Sequence, residues 1–249
     1  MPLTNTEAAI LTAQCKPLIV ESIELPQCLQ VGHVLVELIS SGICGSQLGE
    51  IDGVKGFDRY LPHLMGHEGF GRVLKVGPGV KQVDVGDHVV LHWRQGAGIQ
   101  AEPPRYKWRG NTLNAGWVTT FNRHAVVSEN RCPKVPSDTD PDVAALLGSA
   151  ITTVFGVVEN NAKLKMGEAV VVFGAGGIGL NIVQACALVS AWPIIAIDRF
   201  NSRLELALKL GASQCFNSNT EDAEAAIKTA LGHQQLNVFI DKTGIPQII

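Results

Sequence analysis

Apolar and polar residues alternate in two different textures along this 249-residue chain. In the first, apolar residues gather in short Val-, Leu- and Ile-rich runs at 34–39, 69–76 and 88–92, bounded by Gly-Pro-Gly and Gly-Asp turns. Runs of that length between turn residues predict β-strands. The glycines among them (Gly66, Gly69, Gly71, Gly77, Gly79 and Gly86) predict tight turns and bulges in a small all-β unit. Segment 94–116, rich in Gly, Pro and basic-aromatic residues, reads as a surface excursion with no chemistry assigned. The texture changes near Pro141, where the start signals Ser137, Asp138 and Asp140 precede a helix-like stretch over 142–158. From Gly167 onward, apolar strands at 169–173, 194–197, 214–216 and 236–240 alternate with helices at 178–189, 203–210 and 221–231. Continuous apolar strands separated by helices predict a parallel sheet covered on both faces. The expected organisation is therefore a β domain over 1–145 followed by an α/β domain over 146–249.

Composition narrows the classes. Hydrophobic residues make up 46% and charged residues 17% of the chain, enough apolar material for a sizeable core. A net charge of −3 with no basic block argues against a nucleic-acid partner, which would need cations to neutralise phosphates. No apolar stretch reaches membrane-spanning length and no signal peptide opens the chain, so no membrane association is expected. The six cysteines form no C-x-x-C pair, which fits reduced thiols in a cytoplasmic protein.

The most specific local signal is Gly174-Ala175-Gly176-Gly177-Ile178-Gly179, a G-x-G-x-x-G directly after an apolar strand and at the start of a helix. Gly174, Gly176 and Gly177 let the backbone turn sharply and approach a pyrophosphate, whose charge rests on the helix N-terminus. Gly179 lets that helix pack closely. An acidic residue is required about 20 residues further on to bind ribose hydroxyls, and Asp198 stands there. The carboxylate favours NAD over NADP, whose 2′-phosphate it repels, although Arg199 and Arg203 follow and soften that repulsion.

A thiol, an imidazole and a carboxylate occur at Cys44, His67 and Glu68, three ligand types that zinc accepts. Their spacing alone leaves two readings open: a metal site, or a buried structural thiol beside a hydrogen-bonded loop histidine. The stretch GHEGFGRVLKVGPGVKQVDVGDHVV at 66–90 closely resembles the signature of the zinc-type medium-chain dehydrogenase/reductase superfamily. Gly42-Ile43-Cys44-Gly45-Ser46 and the glycine motif at 174–179 match the same family in the same order, over essentially the whole chain. The resemblance implies a GroES-like β-barrel domain followed by a Rossmann doubly wound sheet, with the active site in the cleft between them. It implies zinc on Cys44 and His67, an alcohol proton passed through Ser46, Thr153 beside the nicotinamide and Arg203 near the adenosine ribose. The implied reaction moves a hydride between NAD and a small alcohol, polyol or carbonyl compound. Zinc would act as Lewis acid.

Three departures qualify the resemblance. The family's third zinc ligand, a cysteine after Leu147-Gly148, is Ser149 here. Glu68 then becomes the candidate third ligand, as in the polyol-dehydrogenase branch, against its alternative role as a carboxylate behind the ligands. Segment 90–117 contains no cysteine, so no structural zinc is expected. Four sheet strands are expected where the full doubly wound sheet has six, which points to a piece of a longer protein. Homo-oligomerisation is a family expectation for that longer parent. Two alternatives follow: a zinc-free medium-chain NAD(P)H reductase, or a non-catalytic NAD-binding fragment. His92-Trp93-Arg94 reads as an ordinary strand end.

Overall fold

In the computed structural model, which describes residues 3–245, the chain divides into two compact units, Met1–Ala150 and Ile151–Ile249. The division falls a few residues beyond the change of sequence texture. The first unit contains β1 (Asn5–Leu11), β2 (Ile19–Glu24), β3 (His33–Ser41), α1 (Gly45–Ile51), β4 (His63–Leu64), β5 (Glu68–Val76), β6 (His88–His92), β7 (Tyr106–Trp108), β8 (Asn111–Leu113), β9 (His124–Ser128), β10 (Lys134–Val135) and α2 (Pro141–Leu146). These strands form two five-stranded sheets, in the orders β4-β1-β2-β7-β8 and β10-β6-β5-β3-β9.

Alternation builds the core between the two sheets. Along β1 the side chains of Thr6, Ala8 and Ile10 turn inward while Asn5 and Glu7 face solvent, the two-residue period of a half-buried strand. Ile10, Ile23, Leu64, Leu113 and Val126 share one apolar cluster, and Val34, Val36, Val89, Leu91 and Val127 share another. The 94–116 segment departs from the sequence reading. Instead of a featureless excursion it ends in the β7–β8 hairpin, which adds to β2 through Glu24↔Lys107. Tyr106 anchors that hairpin: its ring is fully buried and its hydroxyl accepts a hydrogen bond from the Val126 N–H at 2.8 Å. Burial pushes this phenol up to about 12.

The helix expected over 142–158 is broken. The chain runs through α2, leaves the helix at 147–149, and resumes as α3 (Ala150–Gly156), which continues into a wider helical turn at Val157–Asn161. Asp140 caps α2 by accepting the Asp142 and Val143 N–H groups. Gly148 explains the break: a side chain there would collide with the Leu91 carbonyl and lie 2.8 Å from the Glu68 Cα. Such an approach needs glycine and displaces the backbone from a regular helix.

In the second unit, β11 (Ala169–Phe173), α4 (Gly177–Leu188), β12 (Ile194–Asp198), α5 (Asn201–Lys209), β13 (Gln214–Asn217), α6 (Ala223–Leu231) and β14 (Leu236–Asp241) alternate as expected. The strands are parallel, in the order β13-β12-β11-β14. That is the 3-2-1-4 arrangement of a doubly wound sheet, with the switch point between the first and fourth strands. Both faces are covered. Val170, Val172, Ile194 and Ala196 pack with Ile182, Val183 and Ala207 of α4 and α5, while Val171, Phe173, Ile195 and Ile197 pack with Ala223, Ile227 and Ala230 of α6. No helix among the described residues is long and apolar enough to cross a membrane.

Candidate functional site

The glycine motif forms the turn between β11 and α4. Gly174 takes φ +92°, and its N–H donates to the Ile197 carbonyl at 2.8 Å, tying the turn to β12. A methyl at Gly179 would collide with the Gly174 carbonyl, so only glycine lets α4 start this close to the turn. Gly176 and Gly177 face open space, with no atom within 4 Å of where a side chain would begin. The N-terminus of α4 has no side-chain cap, which leaves its positive end toward that space. Ile178 is half-buried against the sheet core.

Asp198 closes β12 beside this turn and is 7% exposed. One carboxylate oxygen accepts the Ala175 N–H at 2.7 Å and the other accepts the Phe200 N–H at 3.0 Å. The Arg203 guanidinium lies 3.6 Å away and stacks over the Phe200 ring at 4.7 Å, with Arg199 over the same ring at 5.1 Å. An open glycine turn, an uncapped helix start and a fixed carboxylate fit a dinucleotide: backbone donors for the pyrophosphate and an acceptor for ribose hydroxyls.

In the first unit, the β3–β5 ladder ends at Ser41↔Gly69. Beyond it the Gly42 N–H and the Ser41 hydroxyl both donate to the Glu68 carbonyl, at 3.1 Å each. Those bonds bring the loop carrying Cys44 beside the chain carrying His67. Cys44 sits at the N-cap of α1, where its N–H donates to Gln47 Oε1 at 2.8 Å. The Ser46 hydroxyl donates to its sulfur at 3.3 Å. Glu68, 2% exposed, pairs with His92 across the β5–β6 ladder. Its carboxylate accepts the Ala150 N–H at 3.0 Å and lies where a side chain at Gly42 would otherwise be, 2.5 Å from that position. Ser149 is buried next to Ala150.

Cys44 and His67 thus stand on neighbouring loops, and their thiol and imidazole fit zinc by donor chemistry. The third donor is not gathered with them: among the described residues no three His, Cys, Asp or Glu side chains come together to hold a metal. The physical reason is visible at Glu68, whose buried carboxylate accepts the Ala150 N–H while its backbone carbonyl accepts the Gly42 N–H. Thr153 lies exposed on α3 in the second unit.

Two participants were not singled out in the sequence. Gln47 is 2% exposed, and the three-residue spacing from an N-cap is the signal that could have found it. Arg131 is 5% exposed in a turn at Glu129–Arg131; no local pattern marks it, because its neighbours come from segments distant in sequence. His92 ends β6, as read from the sequence. Burial first, then the charges of Arg94, Arg131 and His67, hold its imidazole below the ordinary value. A cavity of about 580 Å³ opens beside His67, lined also by Gln47, Tyr60, His63, Trp117 and Val118. On its wall His63 Nε2 is hydrogen-bonded to the Asp58 carboxylate at 2.8 Å.

Comparison with known proteins bears on the family and the fold. Residues 30–137 match the alcohol dehydrogenase GroES-like domain and residues 177–249 match the zinc-binding dehydrogenase domain. The chain is 32% identical over 243 residues to an S-(hydroxymethyl)glutathione dehydrogenase of Synechocystis, covering 88% of this chain and 65% of that protein. It therefore spans about two thirds of that relative's length. Among solved structures, it resembles an alcohol dehydrogenase zinc-binding domain protein from Burkholderia ambifaria (TM-score 0.87, 29% identity, covering 98% of this chain and 72% of that one). It also resembles benzyl alcohol dehydrogenase from Acinetobacter calcoaceticus, with a TM-score of 0.85 and 30% identity, covering 99% of this chain and 72% of that one. With both domain types matched in order, and the likeness extending over the whole chain, the protein belongs to the medium-chain dehydrogenase/reductase superfamily, in company with its zinc-type alcohol dehydrogenases.

Proposed function

We propose that this chain is the larger part of an alcohol oxidoreductase that moves a hydride between NAD and a small alcohol, polyol or the corresponding carbonyl compound. The observation that carries this reading is the open Gly176–Gly177 face at the uncapped start of α4, beside the buried Asp198. In this reading the backbone at 176–178 holds the pyrophosphate, Asp198 accepts from the adenosine ribose, and Arg203 lies alongside. Asp198 is the ground for NAD over NADP. Ser46 is assigned the relay of the alcohol proton, and Thr153 the nicotinamide, by their positions in the family motif. Zinc is the metal the family implies; Cys44 and His67 would hold it, with Glu68 as third ligand once its carboxylate leaves Ala150. When bound, it supplies Lewis-acid polarisation of the alcohol or carbonyl oxygen. A zinc-free nicotinamide reductase is the second reading, favoured by the engagement of Glu68 with the Ala150 N–H.

Two measurements test these readings. NADH binding, followed by its fluorescence, is expected to weaken about tenfold or more in Asp198→Ala, and the preference over NADPH to narrow. Unchanged affinity and unchanged preference would remove Asp198 from the ribose site. Elemental analysis should find about one zinc per chain, lost in Cys44→Ala. A chain that binds NADH and turns over substrate with no zinc selects the zinc-free reading.

A further inference from the structure

Beside the His67 end of the first unit stand two tryptophans and two arginines. Arg131 is 5% exposed. Its Nε donates to Gln100 Oε1 at 3.3 Å and its Nη1 donates to the Trp93 carbonyl. Its Nη2 has no hydrogen-bond partner among the described residues. The guanidinium stacks on the Trp117 ring at 5.4 Å, and Arg94 stacks on the Trp93 ring at 6.0 Å. Neither arginine is in an ion pair among the described residues. Of the carboxylates lining the adjacent cavity, Glu50 lies 4.0 Å from Lys55 and Asp58 is hydrogen-bonded to His63 at 2.8 Å. The rim's own charged side chains, Arg94 and Arg131, are both cationic.

A guanidinium withdrawn from water without a counter-charge is costly, and the cost is recovered when an anion binds. Trp93 and Trp117 are 48% and 43% exposed and offer aromatic faces beside the two arginines. We propose that the rim formed by Trp93, Arg94, Trp117 and Arg131 binds an anionic group carried by the substrate, so that the alcohol taken at the His67 end is an acid-bearing one with an apolar or aromatic body. The forked donors of arginine suit carboxylate and phosphate alike. This inference rests on the oxidoreductase reading for the word alcohol, and on the rim alone for the anion.

The test measures binding without turnover. Dissociation constants of the 249-residue chain are measured by ligand-observed NMR for benzyl alcohol, 4-(hydroxymethyl)benzoate and 4-(hydroxymethyl)phenyl phosphate at low salt. One or both anionic probes are expected to bind about tenfold more tightly than benzyl alcohol. The stronger of the two identifies the acid. That advantage should shrink as salt is raised and fall in both Arg94→Gln and Arg131→Gln. Arg94 is exposed, so its variant keeps the test valid even where the buried Arg131 substitution perturbs folding. Equal affinity for the three probes, or a preference that survives Arg94→Gln unchanged, overturns the proposal. A chain that prefers the anions yet oxidises no alcohol refutes the oxidoreductase reading alone, and one that oxidises benzyl alcohol with no preference refutes this inference alone.

Discussion

Glu129→Ala is expected to lower the stability of the first unit by about 3–5 kcal/mol, read as a drop in the urea midpoint. Glu129 is 3% exposed. One carboxylate oxygen accepts the Lys81 and Gln82 N–H groups at 2.5 and 2.7 Å, and the other accepts the Ile99 N–H at 2.7 Å. Around it the Asn130 N–H donates to the Ile99 carbonyl and the Gly96 N–H to the Asn130 carbonyl. One side chain therefore fastens the turn after β5 and the start of the 94–116 segment to the end of β9. Alanine would take the shared acceptor from three backbone donors on two separate segments and undo the link between them. Hydrogen exchange should rise first at the amides of Lys81, Gln82 and Ile99; protection that stays native at all three would show that the brace lies elsewhere.

The same carboxylate gives a pH signature. Burial opposes its charge, but the N–H groups of Lys81, Ile99 and Gln82 outweigh that and hold its pKa below the usual glutamate value. A depressed folded pKa means stability fully present above the unfolded value, about 4.3, and lost as pH falls through the folded one. Asp58 acts in the same direction: burial pushes it up, but the Tyr60 N–H and His63 prevail. Glu129→Gln should be less stable at neutral pH and should lose less further stability on acidification than the parent chain. Parallel stability–pH curves for the two would contradict the assignment.

Gly179→Ala should disrupt the second unit, with a loss of about 1–3 kcal/mol or more from overpacking, while Gly177→Ala should leave it folded and remove dinucleotide binding. The contrast is geometric. At position 179 a methyl would collide with the Gly174 carbonyl, so the turn or α4 must shift. At position 177 the methyl enters open space, the same space that a pyrophosphate needs. Thermal unfolding and NADH fluorescence separate the two effects. Undiminished NADH binding by a folded Gly177→Ala chain would move the phosphate site away from this turn.

The elements of the second unit were legible in the amino-acid order because their signals are local. An apolar run such as Val170–Phe173, a glycine turn and an acid at the next strand end each sit within one βαβ unit, and the structure returns them in the expected order with Asp198 against Ala175. In the first unit the runs at 34–39, 69–76 and 88–92 were likewise readable from alternation. Cys44, His67 and Glu68 stood out by residue type and by family motif. What pattern could not supply were relations between distant segments: the β7–β8 hairpin joining β2, the helix interrupted where Gly148 meets Leu91, and Arg131 reaching Trp93 and Trp117. The orientation of Glu68 belongs with these. Its residue type qualifies it as a metal ligand, but its direction depends on an N–H eighty-two positions away, at Ala150. Periodicity and turn chemistry by themselves determined the strands and helices of the second unit, three strands of the first and the glycine turn, since backbone preferences act over a few residues. Tertiary packing decided which side chains are buried together and which carboxylate meets which donor, because those energies exist only once remote segments touch.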